Sequence, residues 1–137
     1  MFCTLQQSDA EGMQSLAIVR QLNKDDEVLV YNENGKLRDS SSDLFTHFIG
    51  IRLDNPEVVF NAHRETDFTG KGAIPYSNVD VNLGNGMTAV GTFTAPVSGI
   101  YYFHYQGVSQ NNGGNQAYAQ IMYNGKGIAG TYAYTVN

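Results

Sequence analysis

The run GIYYFHYQGV, residues 99–108, most constrains what this chain can fold into. Tyr101, Phe103 and Tyr105 stand two residues apart, and Tyr102, His104 and Gln106 fill the alternate positions. In extended backbone, successive side chains point to opposite faces, so one row of large rings faces one way and a mixed row the other. The run is therefore read as a strand. Aromatics on both of its faces suit a core or a subunit interface better than a sugar-stacking surface. Tyr101, Phe103 and Tyr105, with Phe48, are the candidate core and interface residues.

The rest of the chain follows the same pattern. QSLAIVRQL (14–22) sets Leu16, Ile18 and Leu22 at period two, with Arg20 breaking the row. EVLVYNENGKL (27–37) ends in Asn34-Gly35, a hairpin signal. LFTHFIGIRL (44–53) is apolar almost throughout, as in a strand buried on both faces. EVVFNA (57–62) is a short apolar strand, and GTFTAP (91–96) is one stopped by Pro96. Residues 66–90 read as long loops with two short strands, near Tyr76 and over residues 81–83. SQNNGGN (109–115) reads as a loop. QAYAQIMYNGKGIAGTYAYTV (116–136) reads as a hairpin around Asn124-Gly125. About eight to ten strands and no convincing helix predict an all-β sandwich.

Composition narrows the function. The chain has 137 residues, enough for one domain with a real core. It is 42% hydrophobic and 15% charged, which predicts a globular rather than a disordered chain. A formal net charge of −5 argues against nucleic acid or an anionic membrane as the main partner. No stretch is long and apolar enough for a membrane helix, so membrane insertion is not expected. The N-terminal run MFCTLQQSDAEG has neither a basic n-region nor an apolar h-region, so no signal peptide is expected. The single cysteine, Cys3, rules out an intrachain disulfide.

Catalytic signatures are weak. GKGIAG (125–130) matches G-x-G-x-x-G, but that loop binds phosphate only where a helix follows, and TYAYTV reads as a strand. Asp25, Asp26 and Glu27 are adjacent on a turn, whereas a hydrolase sets two carboxylates across a cleft. His47, His63 and His104 lack metal-ligand spacing. No histidine lies near Cys3 in sequence, so it reads as an inert thiol. Asp9 and Glu11 are candidate ligands for Ca2+, which takes several oxygens and could share a site between chains. No Asn-x-Ser/Thr acceptor occurs. The chain is not expected to be an enzyme.

GTFTAPVSGIYYFHYQG (91–107) resembles the central signature of the C1q globular-head family: a Phe, five residues, then Gly-x-Tyr-x-Phe-x-aromatic. Phe93, Gly99, Tyr101, Phe103 and Tyr105 fill it. Upstream, Tyr76 stands where the family prefers Phe, Asn82 falls at the expected step, and Met87 replaces an aromatic. PEVVFNAHRE resembles the family's opening strand through Val59, Phe60, Ala62 and Arg64. VRQLNKDDEVLVYNENGKL and LFTHFIGIRL resemble its late and closing strands, with Asp25 for a usual Gly and Leu29 for a frequent Trp. Residues 1–53 thus resemble the carboxyl-terminal part of the domain, 54–55 a linker, and 56–137 the amino-terminal part. A circular permutation of one domain is the simplest account, and a slice through two tandem domains is the rival.

The resemblance implies a ten-stranded jelly-roll β-sandwich of C1q/TNF-like type and a homotrimer, secreted and extracellular. It implies a non-catalytic, lectin-like recognition head of innate immunity, binding carbohydrate, microbial-surface or protein ligands by avidity. Asn111, Asn112, Asn115 and Gln116 are candidate ligand-binding residues, from loop polarity. The alternatives are a TNF-like receptor ligand and a structural matrix protein.

Overall fold

A computed structural model describes residues 10–111 and 117–133. Among these, the chain forms β1 (Ala10–Leu22), β2 (Glu27–Asn34), β3 (Lys36–Leu37), β4 (His47–Arg52), β5 (Val59–His63), β6 (Gly72–Ala73), β7 (Asn78–Leu83), β8 (Phe93–Thr94), β9 (Gly99–Asn111), β10 (Ala117–Tyr123) and β11 (Lys126–Ala133). All pairings are antiparallel, and no helix occurs among the described residues. The first sheet runs β1-β9-β4-β5-β7, with β3 also on β9. The second runs β11-β10-β2-β6, with β8 also on β2. This is the all-β jelly-roll sandwich expected from the sequence.

The alternation of β9 builds the core. Tyr101, Phe103 and Tyr105 are fully buried and face the second sheet, while Tyr102, His104 and Gln106 face outward. Leu16 and Ile18 on β1 and Phe48 on β4 lie opposite the same ring row in register. Phe60 of β5 meets Phe48 edge-on at 4.9 Å and stacks on Phe93 of the opposite sheet at 5.0 Å. Ring pairs at these spacings add to the free energy of simple burial. Both buried tyrosines of β9 keep their hydroxyls paired. Tyr101 Oη donates to Val97 O at 2.7 Å, and Tyr105 Oη to Gln14 Oε1 at 3.3 Å.

Turns follow from local chemistry. Asn124 and Gly125 both have positive φ, 47° and 83°, as a two-residue hairpin turn requires. Asn82 closes the loop after β7 by acting as a substitute backbone. Its Nδ2 donates to Met87 O at 2.9 Å, and its Oδ1 accepts Met87 N at 3.1 Å. Buried Arg64 donates to the carbonyls of Thr66, Pro75 and Asp67 and lies over the Phe68 ring, so it clamps the long loop after β5.

Three sequence expectations are corrected. The strand placed near Tyr76 lies at residues 72–73; Tyr76 itself is a buried core side chain outside any strand. Residues 109–111 do not open a loop, because β1 stays paired with β9 out to Ala10 opposite Asn111. Among the described residues eleven strands form rather than eight to ten, the excess being two-residue pieces too short to show a period.

Gly50 is the packing constraint with a direct test. An ideal Cβ there would lie 2.3 Å from the Phe60 ring, which is itself held by Phe48, Phe93 and Phe103. Gly50→Ala should destabilise the fold by roughly 1–3 kcal/mol through overpacking. Urea unfolding checks this, and an unchanged midpoint would refute it.

Candidate recognition surface

The outward rows of the first sheet make an unusual surface for a sandwich. Val19 of β1 pairs with Tyr102 of β9, and Val81 of β7 with Asn61 of β5. Val19, Leu83 and Met13 are 61%, 55% and 78% exposed, and Ile100 and Val81 are also open. Ile49 and Ile51 of β4 lie half-buried on the same side. Apolar side chains thus stand on the outer side of this sheet from its first strand to its last.

The same face gathers all three histidines. His47 and His63 are cross-strand partners with ring centroids 5.8 Å apart, and His104 lies beside Ile49 in register. His104 Nε2 is 3.3 Å from Ser15 Oγ. His63 is held between two acids: its Nδ1 pairs with Asp80 and its Nε2 with Glu65 at 3.4 Å. Asn78 Nδ2 reaches both His63 and Glu65. The two nitrogens point at different carboxylates, so these groups do not converge on one ion. No group of three metal-binding side chains occurs among the described residues. Burial works against the charged ring of His63, but its hydrogen bonds to Asp80 and Glu65 outweigh this and raise its pKa.

The acidic corner at residues 23–28 is a fastener. Asp26 accepts hydrogen bonds from Asn23 N at 2.8 Å, Tyr123 Oη at 2.9 Å and Asn124 Nδ2 at 3.0 Å. The bond from Asn124, with that from Asn23, holds its carboxyl below the ordinary carboxylate value. Asp26 thereby ties the β1–β2 turn to the β10–β11 hairpin. The G-x-G-x-x-G run lies in that hairpin, with β11 and no helix after it.

The site residues read from sequence fall as follows. Tyr101, Phe103, Tyr105 and Phe48 are core side chains with no exposed surface. Asp9, Asn112, Asn115 and Gln116 lie outside the described residues. Of Glu11 and Asn111 the backbone alone is described, Glu11 opposite Gln110 and Asn111 opposite Ala10. Sequence reading missed the histidine cluster, because residues 47, 63 and 104 meet only through strand register. No helix among the described residues is long and apolar enough to cross a membrane.

The family model for the C1q domain matches residues 59–137. Complement C1q tumor necrosis factor-related protein 3 from Homo sapiens is 31% identical over 80 residues, covering 57% of this chain and 32% of that protein. The protein of the same name from Mus musculus gives the same figures. The chain therefore spans about a third of the length of these curated relatives. No solved structure matches it.

The His63 cluster makes a pH prediction. A pKa raised by folding gives stability that is fully present below the unfolded value of about 6.5 and is lost as pH rises through the folded value. The stability gap between the wild type and His63→Gln should therefore shrink from pH 6 to pH 9. Urea titrations at both ends check this, and a gap that widens with pH would reverse the assignment.

Proposed function

Because the chain belongs to the C1q domain family, we propose that it is a non-catalytic recognition head. Copies of it pack as a trimer through the outer face of the first sheet and bind polymeric ligands multivalently. The observation that carries this is that face itself, with Val19 and Ile100 open to solvent beside half-buried Tyr102, and Val81 and Leu83 open on β7 at the far edge of the same sheet. Three such faces around a threefold axis remove apolar area from water, at about 25 cal/mol per Å². The first ligand class is carbohydrate of a microbial or cell surface, and the setting is extracellular. Weak single sites then gain by effective concentration once three are held together. Shared Ca2+ at Asp9 and Glu11 belongs to the same reading.

A second reading is a receptor ligand of signalling type. It is supported by the name of the relatives, which calls them tumor necrosis factor-related. It shares the trimer and differs in the target, a single protein receptor rather than a repeating glycan.

We also infer that the order of the chain is permuted within one domain. Segments 1–53 and 56–137 contribute interleaved strands to both sheets: β4 lies between β9 and β5, and β2 lies between β10 and β6. The short link at Asp54-Asn55 joins neighbouring antiparallel strands, and Asp54 is held by Arg52 Nε at 3.1 Å and Ile100 N at 3.2 Å. In a Cys3→Ser background, Ala17→Cys with His104→Cys, directly opposed on β1 and β9, should form a disulfide within one chain. A non-reducing gel that shows only chain-to-chain linkage would favour two half-domains instead.

The assembly is tested by light scattering with and without a chelator. The expected mass is that of three chains, and Val19→Asp should convert it to one. A wild-type mass of one chain removes the avidity mechanism. Dissociation on chelation would add the Asp9 and Glu11 calcium site to it.

A further inference from the structure

The outer face of the first sheet is graded from apolar to polar in cross-strand rows. Register sets Val19, Tyr102, Ile51 and Val59 side by side from β1 to β5. The next row runs Ala17, His104, Ile49. The one after it runs Gln106, His47, His63. Successive rows are two residues apart on each of these strands, so all three stand on one face. The first row is wholly apolar apart from the Tyr102 hydroxyl, the third is wholly polar, and His104 stands where the face changes character.

His104 is half-buried, two residues beyond Tyr102 on β9 and directly between Ala17 and Ile49. A surface that covers Tyr102, Ile51 and Ile49 therefore covers the His104 ring with them. The groups that face this ring are Ser15, Ala17 and Val19 from β1 and His47, Ile49 and Ile51 from β4, none of them acidic. Its Nε2 lies 3.3 Å from the neutral Ser15 hydroxyl. His47 is opposed by Gln106 and His63, and its Nδ1 lies 3.5 Å from Asn61 Oδ1. The carboxylates at this end of the face, Asp80 and Glu65, both pair with His63. Acid thus leaves a charged His63 matched by two anions, while a charge on His104 meets no such partner.

We propose that His104, with His47 beside it, makes the association of copies through this face pH-sensitive: the copies assemble with neutral imidazoles and separate when these are protonated. The proposal rests on the reading of this face as the contact between copies and adds the regulation of that contact. Imidazole is the side chain that changes charge between pH 5 and 8. A neutral ring can be covered by an apolar surface at modest cost, whereas an imidazolium with no anion beside it loses hydration that nothing replaces. The sign follows. Assembly requires the uncharged ring, so it is favoured at neutral pH and lost toward acid. Three copies of the ring are covered in one trimer, so the effects multiply. The association constant should fall by up to roughly a thousandfold per pH unit on the acid side of the ordinary imidazole value of about 6.5.

The test is sedimentation equilibrium of the intact chain at pH 7.5 and pH 5.0, with near-ultraviolet circular dichroism at both to follow the packing of the core tyrosines. The wild type should have the mass of three chains at pH 7.5 and of one chain at pH 5.0, reversibly and with the dichroism unchanged. His104→Gln, which cannot be charged, should keep the mass of three chains at pH 5.0. His104→Lys, charged throughout, should give folded single chains already at pH 7.5. A wild type that holds three chains at both pH values overturns the switch and spares the assembly. A wild type that is one chain at both overturns the assembly and the switch with it. Acid dissociation that His104→Gln leaves unchanged overturns the assignment to this ring. Dissociation accompanied by loss of the tyrosine dichroism is acid unfolding, and it overturns the switch as well.

Discussion

Everything in this fold depends on how the ring of Phe60 is seated. It lies over Gly50, against Phe48 and Phe103 of its own sheet and Phe93 of the other. Those residues come from β4, β5, β8 and β9, which are scattered along the chain. The cluster therefore cannot form from one local hairpin. It assembles only when β4 enters between β9 and β5, so strand order and core packing are two aspects of one event. Non-local pairing of this kind carries the loop-closure cost that slows folding of β-sandwiches. The compensation is a core whose large rings each contact several others.

Burying one row of each strand leaves its alternate row outside, and the two sheets use that row differently. The first sheet carries branched aliphatic side chains and histidines outward. The second carries glycines under planar side chains, with an ion pair at the edge. Burial of an aliphatic face is favourable against any apolar surface of matching shape. The outer face of the second sheet instead presents rings and amides lying flat on the strands.

Much of this was legible in the sequence. β9 was legible because its rings alternate with full regularity, and β2 and β4 because hairpin signals and apolar runs bracket them. β6 and β8 were not, since two residues carry no period. Arg20 read as a break in the β1 row, and in the fold its guanidinium lies over the Tyr123 ring at 4.6 Å, so a charged side chain holds a position that pattern alone assigns to the core. The histidine cluster and the tyrosine stack were invisible for a different reason. Each depends on cross-strand register, and bulges at Asn61/Ala62, Tyr118/Ala119 and Ile121/Met122 shift that register by amounts no linear pattern records. Glycines gave the one available signal. A chain of 137 residues with 15 glycines invites the question of what each glycine lies beneath.

That question resolves the run that first resembled a phosphate loop. In a nucleotide fold, glycines let a backbone approach a pyrophosphate. In β11 they let a neighbouring strand's side chains approach the backbone. The conformational requirement is the same, the absence of a Cβ, but the occupant is internal: Tyr118 over Gly130 and Gln120 over Gly127. Lying flat, these side chains cannot bury their own polar ends, so Gln120 turns to Glu33 and Glu33 to Lys71. Gly127 and Gly130, just after the Asn124-Gly125 turn, thus make room for the Gln120 amide and the Tyr118 ring. A Cβ restored at Gly130 would lift the ring and one at Gly127 the amide, leaving the aromatic core between the sheets in place.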